Sequence, residues 1–321
     1  MMEPLLKVKN LKTYFETPTS QVKAVDGVDF EVGSGKVLCI VGESGSGKSM
    51  TSLSLMGLVP EPYGKIVEGE ILFEGEDLVK MTETQLSSMR GNKIAMIFQE
   101  PMTALNPLFT IGEQIREVLY RHQKCTKKEA SLKAIYQLRS VGIPQPEVIV
   151  NSYPHQLSGG MRQRVMIAMM MVCEPKLLIA DEPTTALDVT IQAQVLELMH
   201  ELRHKTGTSI ILITHDLGVV AEMADNMVVM YAGQIVESGS ADEVFDSPLH
   251  PYTQALMASI PSMVEEKDKL TAIPGTVPSA ANFPQGCRFA DRCSLVHANC
   301  RSKMPELREL KPGHFVRCDL V

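Results

Sequence analysis

The stretch Gly42-Glu43-Ser44-Gly45-Ser46-Gly47-Lys48-Ser49 lies between an apolar, β-favouring run at residues 36–41 and a helix-like run at residues 49–58. Its spacing of glycines, lysine and serine is that of a phosphate-binding P-loop, and the strand and helix on either side are the context this loop requires. Glycines let backbone N–H groups converge on phosphates, and a helix N-terminus favours negative charge. The stretch therefore predicts a nucleoside triphosphate site.

Within the loop, each polar residue type has an expected task. We expect Lys48 to reach the β- and γ-phosphates and Ser49 to hold Mg²⁺, with nucleotide contacts running from Gly42 to Met50. A guanine-reading Asn-Lys-x-Asp motif is missing, because the sole Asn-Lys pair, Asn92-Lys93, is followed by Ile-Ala. The sequence therefore favours ATP over GTP.

A second motif is the apolar run Leu177-Leu-Ile-Ala, which ends in the acidic pair Asp181-Glu182. In a parallel sheet, ligands bind at the carboxyl ends of the strands, so both carboxylates are expected at a binding edge. We expect Asp181 to hold Mg²⁺ and Glu182 to orient or deprotonate the attacking water.

The order of strand-like and helix-like runs predicts an α/β fold with a parallel sheet. Apolar runs at residues 177–180 and 209–214 flank a helical run at residues 189–205. Helical patterns at residues 111–122 and 127–141 predict a helical subdomain inserted at about residues 100–165. A Pro- and Gly-rich linker at residues 273–286 precedes a cysteine-rich tail, so we expect a nucleotide-binding domain at 1–260 and a C-terminal region at 261–321.

Composition narrows the classes of partner. The formal net charge is −7, which argues against a nucleic-acid binder that works by neutralising phosphates. No apolar run approaches the roughly 18–20 residues that span a bilayer, and the first ten residues lack a signal-peptide pattern. We therefore expect a soluble, cytoplasmic protein.

Of the seven cysteines, four crowd the last part of the chain: Cys287, Cys293, Cys300 and Cys318. In a cytoplasmic protein, thiols or metal ligands are the better interpretation than disulfides. The spacing is unlike the paired C-x-x-C of common zinc modules, yet four thiolates suit either tetrahedral Zn²⁺ or an iron–sulfur cluster. From the residues alone, a cluster, zinc and free thiols all stay open.

The segment Leu157-Ser158-Gly159-Gly160-Met161-Arg162-Gln163-Arg164 resembles the signature sequence of ABC ATPases. Further elements follow in that family's order, namely Gln99 after Ile97-Phe98, Asp188 after Leu187, and His215 in Ile-Thr-His-Asp. The resemblance implies a P-loop NTPase of the ABC type. Such a fold has a RecA-like parallel sheet core, an N-terminal antiparallel β subdomain and the inserted helical subdomain, and here it would carry a small cysteine-rich C-terminal region.

The resemblance also implies roles for single residues. Gln99 would approach Mg²⁺ and the attacking water, and His215 would contact the γ-phosphate. Ser158 and Gly160 would open a helix that binds the ATP of a partner subunit, and Asp188 would lie at the dimer seam. The family stacks an aromatic residue on adenine, and the pattern beginning at Leu11 points to Phe15, with Tyr14 as the alternative.

Finer resemblance points to importers of oligopeptides and dipeptides. It rests on the segments at residues 98–107, Ser247-Pro-Leu-His-Pro-Tyr-Thr253 and Gly286-Cys-Arg-Phe-Ala-Asp-Arg-Cys293. The signature segment is similar to the D-type ATPase of these importers. That implies two transmembrane permease subunits, a second ATPase subunit in an F-type heterodimer or a homodimer, and an extracytoplasmic peptide-binding protein that acts indirectly. Nucleic acid is not an expected partner.

The same resemblance implies a peripheral position on the cytoplasmic face of the cell membrane. Some of these ATPases carry a [4Fe–4S] cluster, which makes a cluster at the four cysteines the favoured expectation and Zn²⁺ the alternative. Nickel or other small-solute importers are close relatives of the family. An ABC ATPase acting in nucleic-acid repair is a second hypothesis, which the acidic charge and the short interval between Gln99 and Ser158 disfavour.

Overall fold

The computed structural model describes residues 3–18, 20–99, 104–185, 188–259 and 273–321. The chain forms two compact units. The first unit comprises residues 1–33, 37–80 and 214–321, and the second comprises residues 34–36 and 81–213. The expected domain boundary at residues 260–261 and the start of the helical subdomain near residue 100 lie outside the described residues.

The elements of the first unit combine two sheets with short helices. Its strands are β1 (Leu6–Glu16), β2 (Gln21–Val32), β3 (Val37–Val41), β4 (Gly64–Phe73), β5 (Glu76–Asp77), β9 (Asn226–Tyr231), β10 (Gln234–Ser240), β11 (Arg308–Lys311) and β12 (His314–Val316). Its helices are α1 (Lys48–Leu55), α8 (Leu217–Met223), α9 (Ala241–Asp246), α10 (Pro251–Ala258) and α11 (Ala298–Ser302).

An antiparallel sheet with the order β2-β1-β4-β5 forms from the N-terminal strands. Strand β1 alternates between buried Leu6 and Val8 and lysines that are exposed or half-buried, which is the pattern of a sheet with one solvated face. On that face, cross-strand ion pairs join Lys9 to Glu70 at 3.3 Å and Lys12 to Glu68 at 2.6 Å. This sheet matches the expected N-terminal antiparallel subdomain.

The other strands of the first unit pair in the order β11-β12-β10-β9-β3. Strand β3 runs parallel to β9, and every residue of β3 is buried, as expected for a strand covered on both faces. Strand β10 then pairs antiparallel with both β9 and β12. The C-terminal hairpin β11–β12 thereby extends the sheet that positions the P-loop.

A buried contact between Glu237 and His314 fastens this hairpin to β10. Glu237 and His314 are both 0% exposed, and the His314 Nε2 atom lies 2.8 Å from the Glu237 carboxylate. The same carboxylate accepts the backbone N–H groups of Leu249 at 2.7 Å and His250 at 2.8 Å. The C-terminal hairpin therefore lies in the same compact unit as the P-loop.

The second unit holds a parallel sheet and most of the helices. Its strands pair in the order β6 (Ile94–Ile97), β7 (Leu177–Asp181) and β8 (Ser209–Thr214). Its helices are α2 (Glu83–Met89), α3 (Ile111–His122), α4 (Lys127–Ser140), α5 (Pro146–Ile149), α6 (Gly159–Met171) and α7 (Val189–Thr206). Within the described ranges, each helix is too short or too polar to cross a bilayer.

Local sequence explains the helix starts in the second unit. Thr110 and Thr126 begin α3 and α4 with capping boxes, in which the threonine hydroxyl accepts the N–H of Glu113 or Glu129 and the glutamate bonds back. Such boxes satisfy backbone donors that a helix start otherwise leaves free. These helices confirm the two predicted from periodicity.

Replacing Glu237 with alanine tests the anchor of the hairpin. The change leaves three donors without their acceptor, two of them fully buried, so we expect the free energy of unfolding to fall by about 3 kcal/mol. Chemical denaturation measures it, with Glu222→Ala, at an exposed glutamate of α8, as the matched control. Equal stability of the two variants would contradict the anchoring role.

Candidate functional site

The P-loop turn requires glycine at two positions for steric reasons. Gly42 has φ 150°, and a Cβ atom there would lie 2.2 Å from the carbonyl oxygen of Met230. Gly47 has φ 102°, and a Cβ atom there would lie 2.5 Å from the carbonyl oxygen of Ala24. Both positions combine a backbone conformation and a close approach that only glycine tolerates.

The turn delivers the chain into α1 with its first N–H groups uncapped by a side chain, because the N-cap residue is Gly47. The Lys48 ammonium donates to the carbonyl oxygens of Gly42 at 2.7 Å and Glu43 at 3.1 Å. The hydroxyl oxygen of Ser46 is buried and has no hydrogen-bond partner within the described residues. A helix start without a side-chain cap and a buried lysine suit a polyphosphate, so these residues fit ATP.

Glu43 is held from three sides. Its N–H donates to the Tyr252 hydroxyl at 2.9 Å, its carbonyl accepts from Lys48, and its carboxylate accepts from Arg292 at 3.0 Å. Arg292 also donates to the Tyr231 hydroxyl at 3.3 Å. Burial alone would lower the pKa of Arg292, but the contacts with Tyr231 and Glu43 raise it.

Sequence reasoning missed Tyr252 and Arg292 as parts of this site. Each lies in a segment singled out only for its family resemblance, at residues 247–253 and 286–293. In the first of these segments, His250 caps α10 by accepting the N–H of Tyr252 at 3.0 Å. Burial lowers the pKa of His250 to about 3, so its ring stays neutral and able to accept.

The two aromatic candidates for adenine have different surroundings. Tyr14 is buried, and its hydroxyl donates to Asp26 at 2.5 Å. Asp26 also accepts from Arg288, so its pKa lies below the usual value although burial acts in the opposite direction. Phe15, by contrast, is only half-buried. The Tyr14 ring is therefore buried and hydrogen-bonded, whereas the ring of Phe15 is more accessible to a ligand.

In the second unit, two predicted catalytic residues lie together. The Gln99 side-chain amide donates to the Glu182 carboxylate at 3.2 Å, and the Thr185 hydroxyl donates to it at 2.9 Å. Glu182 has φ 46°, an uncommon left-handed conformation that is often retained at functional sites. Asp181 precedes it at the end of β7 and is 4% exposed.

The signature segment begins helix α6. Ser158 is its N-cap and accepts the N–H of Met161 at 3.3 Å. A Cβ atom at Gly160 would lie 2.9 Å from Ile191 of α7, whereas one at Gly159 would meet nothing within 4 Å. Gly160 therefore permits close packing of the two helices, while the space beside Gly159 is open.

Of the other predicted residues, Asp188 lies at a helix start and His215 lies just after a strand. Asp188 caps α7 by accepting the N–H of Ile191 at 3.0 Å. His215 follows β8, belongs to the first unit and is exposed. Leu187, quoted with Asp188, lies outside the described residues.

The four C-terminal cysteines line a common cavity, together with His250, Phe289 and Pro305. Burial, followed by the neighbouring thiols of Cys300, Cys318 and Cys293, raises the pKa of Cys287 to about 11. Four thiolates brought together repel, so a positively charged centre would stabilise them. Across the described ranges, however, no three His, Cys, Asp or Glu side chains are arranged to hold a single metal ion.

Comparison with protein families agrees with the geometry. The ABC transporter family model matches residues 25–185, and the model for the oligopeptide/dipeptide transporter C-terminal region matches residues 236–300. Solved ABC cassettes have a similar fold. The dimeric cassette MJ0796 gives a TM-score of 0.66 at 26% identity, covering 74% of this chain and 98% of that one. CbiO1 from Clostridium perfringens gives 0.65 at 28% identity, covering 77% and 92%.

Peptide transport ATP-binding proteins are similar to this chain over nearly its whole length. The oligopeptide transport ATP-binding protein AppD of Bacillus subtilis (strain 168) is 57% identical over 319 residues, which cover 99% of this chain and 97% of that protein. The dipeptide transport ATP-binding protein DppD of Escherichia coli (strain K12) is 48% identical over 314 residues, covering 98% and 96%. The chain therefore belongs to the ABC transporter ATPases, within the group of oligopeptide and dipeptide transport ATP-binding proteins.

Proposed function

We propose that the chain hydrolyses ATP to energise the import of dipeptides or oligopeptides through a membrane permease. The observation that carries this proposal is the P-loop turn, in which the Lys48 ammonium donates to the carbonyl oxygens of Gly42 and Glu43 beside a helix start that no side chain caps. Nearly full-length similarity to peptide transport ATP-binding proteins supports the cargo. A nickel or other small-solute importer is the alternative within the family.

The ATP-binding roles follow from the side chains available. Residues 42–50 would cradle the phosphates, with Lys48 neutralising the β- and γ-phosphate charge. Phe15 would stack on adenine, because its ring is less buried than that of Tyr14. Ser49, Asp181 and Gln99 would hold Mg²⁺, which supplies further charge neutralisation when bound.

Glu182 is the proposed base for the attacking water. Gln99 and Thr185 both donate to its carboxylate, which fixes its orientation. His215 would contact the γ-phosphate. A carboxylate held in this way can accept the proton of a water molecule as the water attacks phosphorus.

The signature segment is assigned to the partner's nucleotide. Ser158 and Gly160 lie at the start of α6, where N–H groups point outward, and the space beside Gly159 is open. We propose that this helix end completes the ATP site of a second ATPase subunit, with Asp188 at the seam. A heterodimer with an F-type subunit fits the D-type signature, and a homodimer is the alternative.

Exposed apolar side chains in the second unit suit a permease contact. Leu108 is 80% exposed and Phe109 is 50% exposed, in the turn before α3. The N–H of Ile111 donates to the carbonyl of Ser152 at 2.9 Å, which brings this turn beside the exposed ring of Tyr153. An apolar surface of this kind is typical of a protein contact. We assign it to one of two transmembrane permease subunits, which places the chain at the cytoplasmic face of the membrane.

For the C-terminal region, we propose that Cys287, Cys293, Cys300 and Cys318 ligate one [4Fe–4S] cluster. The support is that all four line one cavity and that four thiolates are the ligand set such clusters use. The cluster would offset the charge of the thiolates and hold residues 287–318 together. Its expected role is structural.

Replacing Glu182 with glutamine tests the catalytic assignment. We expect ATP turnover to fall by about 10²-fold or more while ATP affinity stays within about twofold, because the carboxylate accepts a proton and does not cradle phosphate. Steady-state hydrolysis and equilibrium ATP binding measure the two effects. Glu197→Gln, at an exposed position of α7, is the control. Turnover at the parental rate would remove Glu182 from the mechanism.

Anaerobic purification tests the cluster. We expect brown protein with about four iron and four sulfide per chain, and a lower content after any one of the four Cys→Ser changes. Cys125→Ser, outside the cavity, should leave the iron content unchanged. Colourless protein with about one zinc per chain, or metal-free protein with a protease-resistant C-terminal region, would each contradict the cluster.

A further inference from the structure

The segment between Cys287 and Cys293 packs against the residues that support the P-loop. The ring of Phe289 lies 5.2 Å from that of Tyr231 and 5.4 Å from that of Tyr252, measured between centroids. All three rings are buried. The tyrosine hydroxyls are the groups that contact Arg292 and the N–H of Glu43. One aromatic cluster therefore joins this segment to the loop.

Arg292 contacts the loop directly from this segment. Its side chain is 6% exposed and lies 3.0 Å from the Glu43 carboxylate. Its guanidinium is oriented by a further bond from Nε to the carbonyl of Pro274 at 2.8 Å. The carbonyl of Glu43 accepts from Lys48 at 3.1 Å. Arg292 and the phosphate-binding lysine thus act on the same residue.

Arg288 reaches the loop by a second route. Its guanidinium donates to Asp26 and, at 2.5 Å, to the carbonyl oxygen of Ala232 in the turn between β9 and β10. The next residue in that turn, Gly233, donates its N–H to the carbonyl of Ser46 at 2.9 Å. Arg288 therefore stabilises the turn that holds the other end of the loop.

We propose that Arg292 and Arg288 are positioning residues of the ATP site, and that the segment from Cys287 to Cys293 sets nucleotide affinity. Charge-assisted hydrogen bonds from Arg292 and Arg288 keep the P-loop in the conformation that receives phosphates. The loop is therefore already ordered before ATP binds, which favours binding. This inference rests on the assignment of the P-loop to ATP. It gives the C-terminal region a role in ATP binding in addition to its structural role.

The direct test is ATP affinity of the full-length chain after Arg292→Met. We expect the Kd for ATP and the KM of hydrolysis to rise about tenfold, because the loop loses a charge-assisted contact. The kcat should change by less than about twofold, since Arg292 does not contact the reacting atoms. Arg292→Lys keeps the charge and should recover part of the affinity.

Controls separate this role from a general loss of stability. Arg301→Met removes an exposed arginine of the same C-terminal region, whose one ion pair within the described residues is with Asp291 at the surface, and should leave the Kd unchanged. In a Glu43→Gln background, Arg292→Met should weaken ATP binding by much less than tenfold. If the parent chain failed to bind ATP, the proposed function itself would fail. If the parent bound ATP and Arg292→Met bound it equally well, or lost thermal stability alone, the positioning role would be overturned.

Discussion

The rest of the structure depends on one constraint, the turn by which β3 passes into α1. Its backbone must bend at Gly42 and Gly47, where the approach of Met230 and Ala24 excludes any side chain. This bend would let the N–H groups of the loop converge on a bound phosphate while Lys48 stays buried. Strand β9 supplies the carbonyl oxygen of Met230 and the ring of Tyr231, and strand β2 supplies the carbonyl oxygen of Ala24, against which this turn is built.

The C-terminal region packs against the residues that support this turn. The buried pair of Glu237 and His314 joins β12 to β10, and residues 288–292 contact the supports of the loop. A segment that carries four cysteines is thereby tied to the residue that Lys48 contacts. A cluster at the cysteines and a nucleotide at the P-loop would both depend on residues 288–292. The C-terminal region could therefore influence ATP binding.

Much of this could be predicted from the sequence because it is local. Helix α3 matches its predicted bounds since periodicity and the capping box of Thr110 act within a few residues. The P-loop was predictable for the same reason. The contact between Arg292 and Glu43 was not, because it joins positions 249 residues apart and no local pattern pairs the P-loop with residues 286–293. The direct contact of Gln99 with Glu182 was likewise not predicted, although the sequence had suggested a role for each residue.

The central claim is that ATP hydrolysis by this chain drives peptide import. The most direct measurement is uptake of a labelled dipeptide or short peptide into proteoliposomes that contain the chain, its ATPase partner and the permease, with the peptide-binding protein outside and ATP inside. The account predicts peptide accumulation with ATP and none with a non-hydrolysable analogue. Equal uptake with both nucleotides, or ATP-driven accumulation of nickel without peptide, would contradict it.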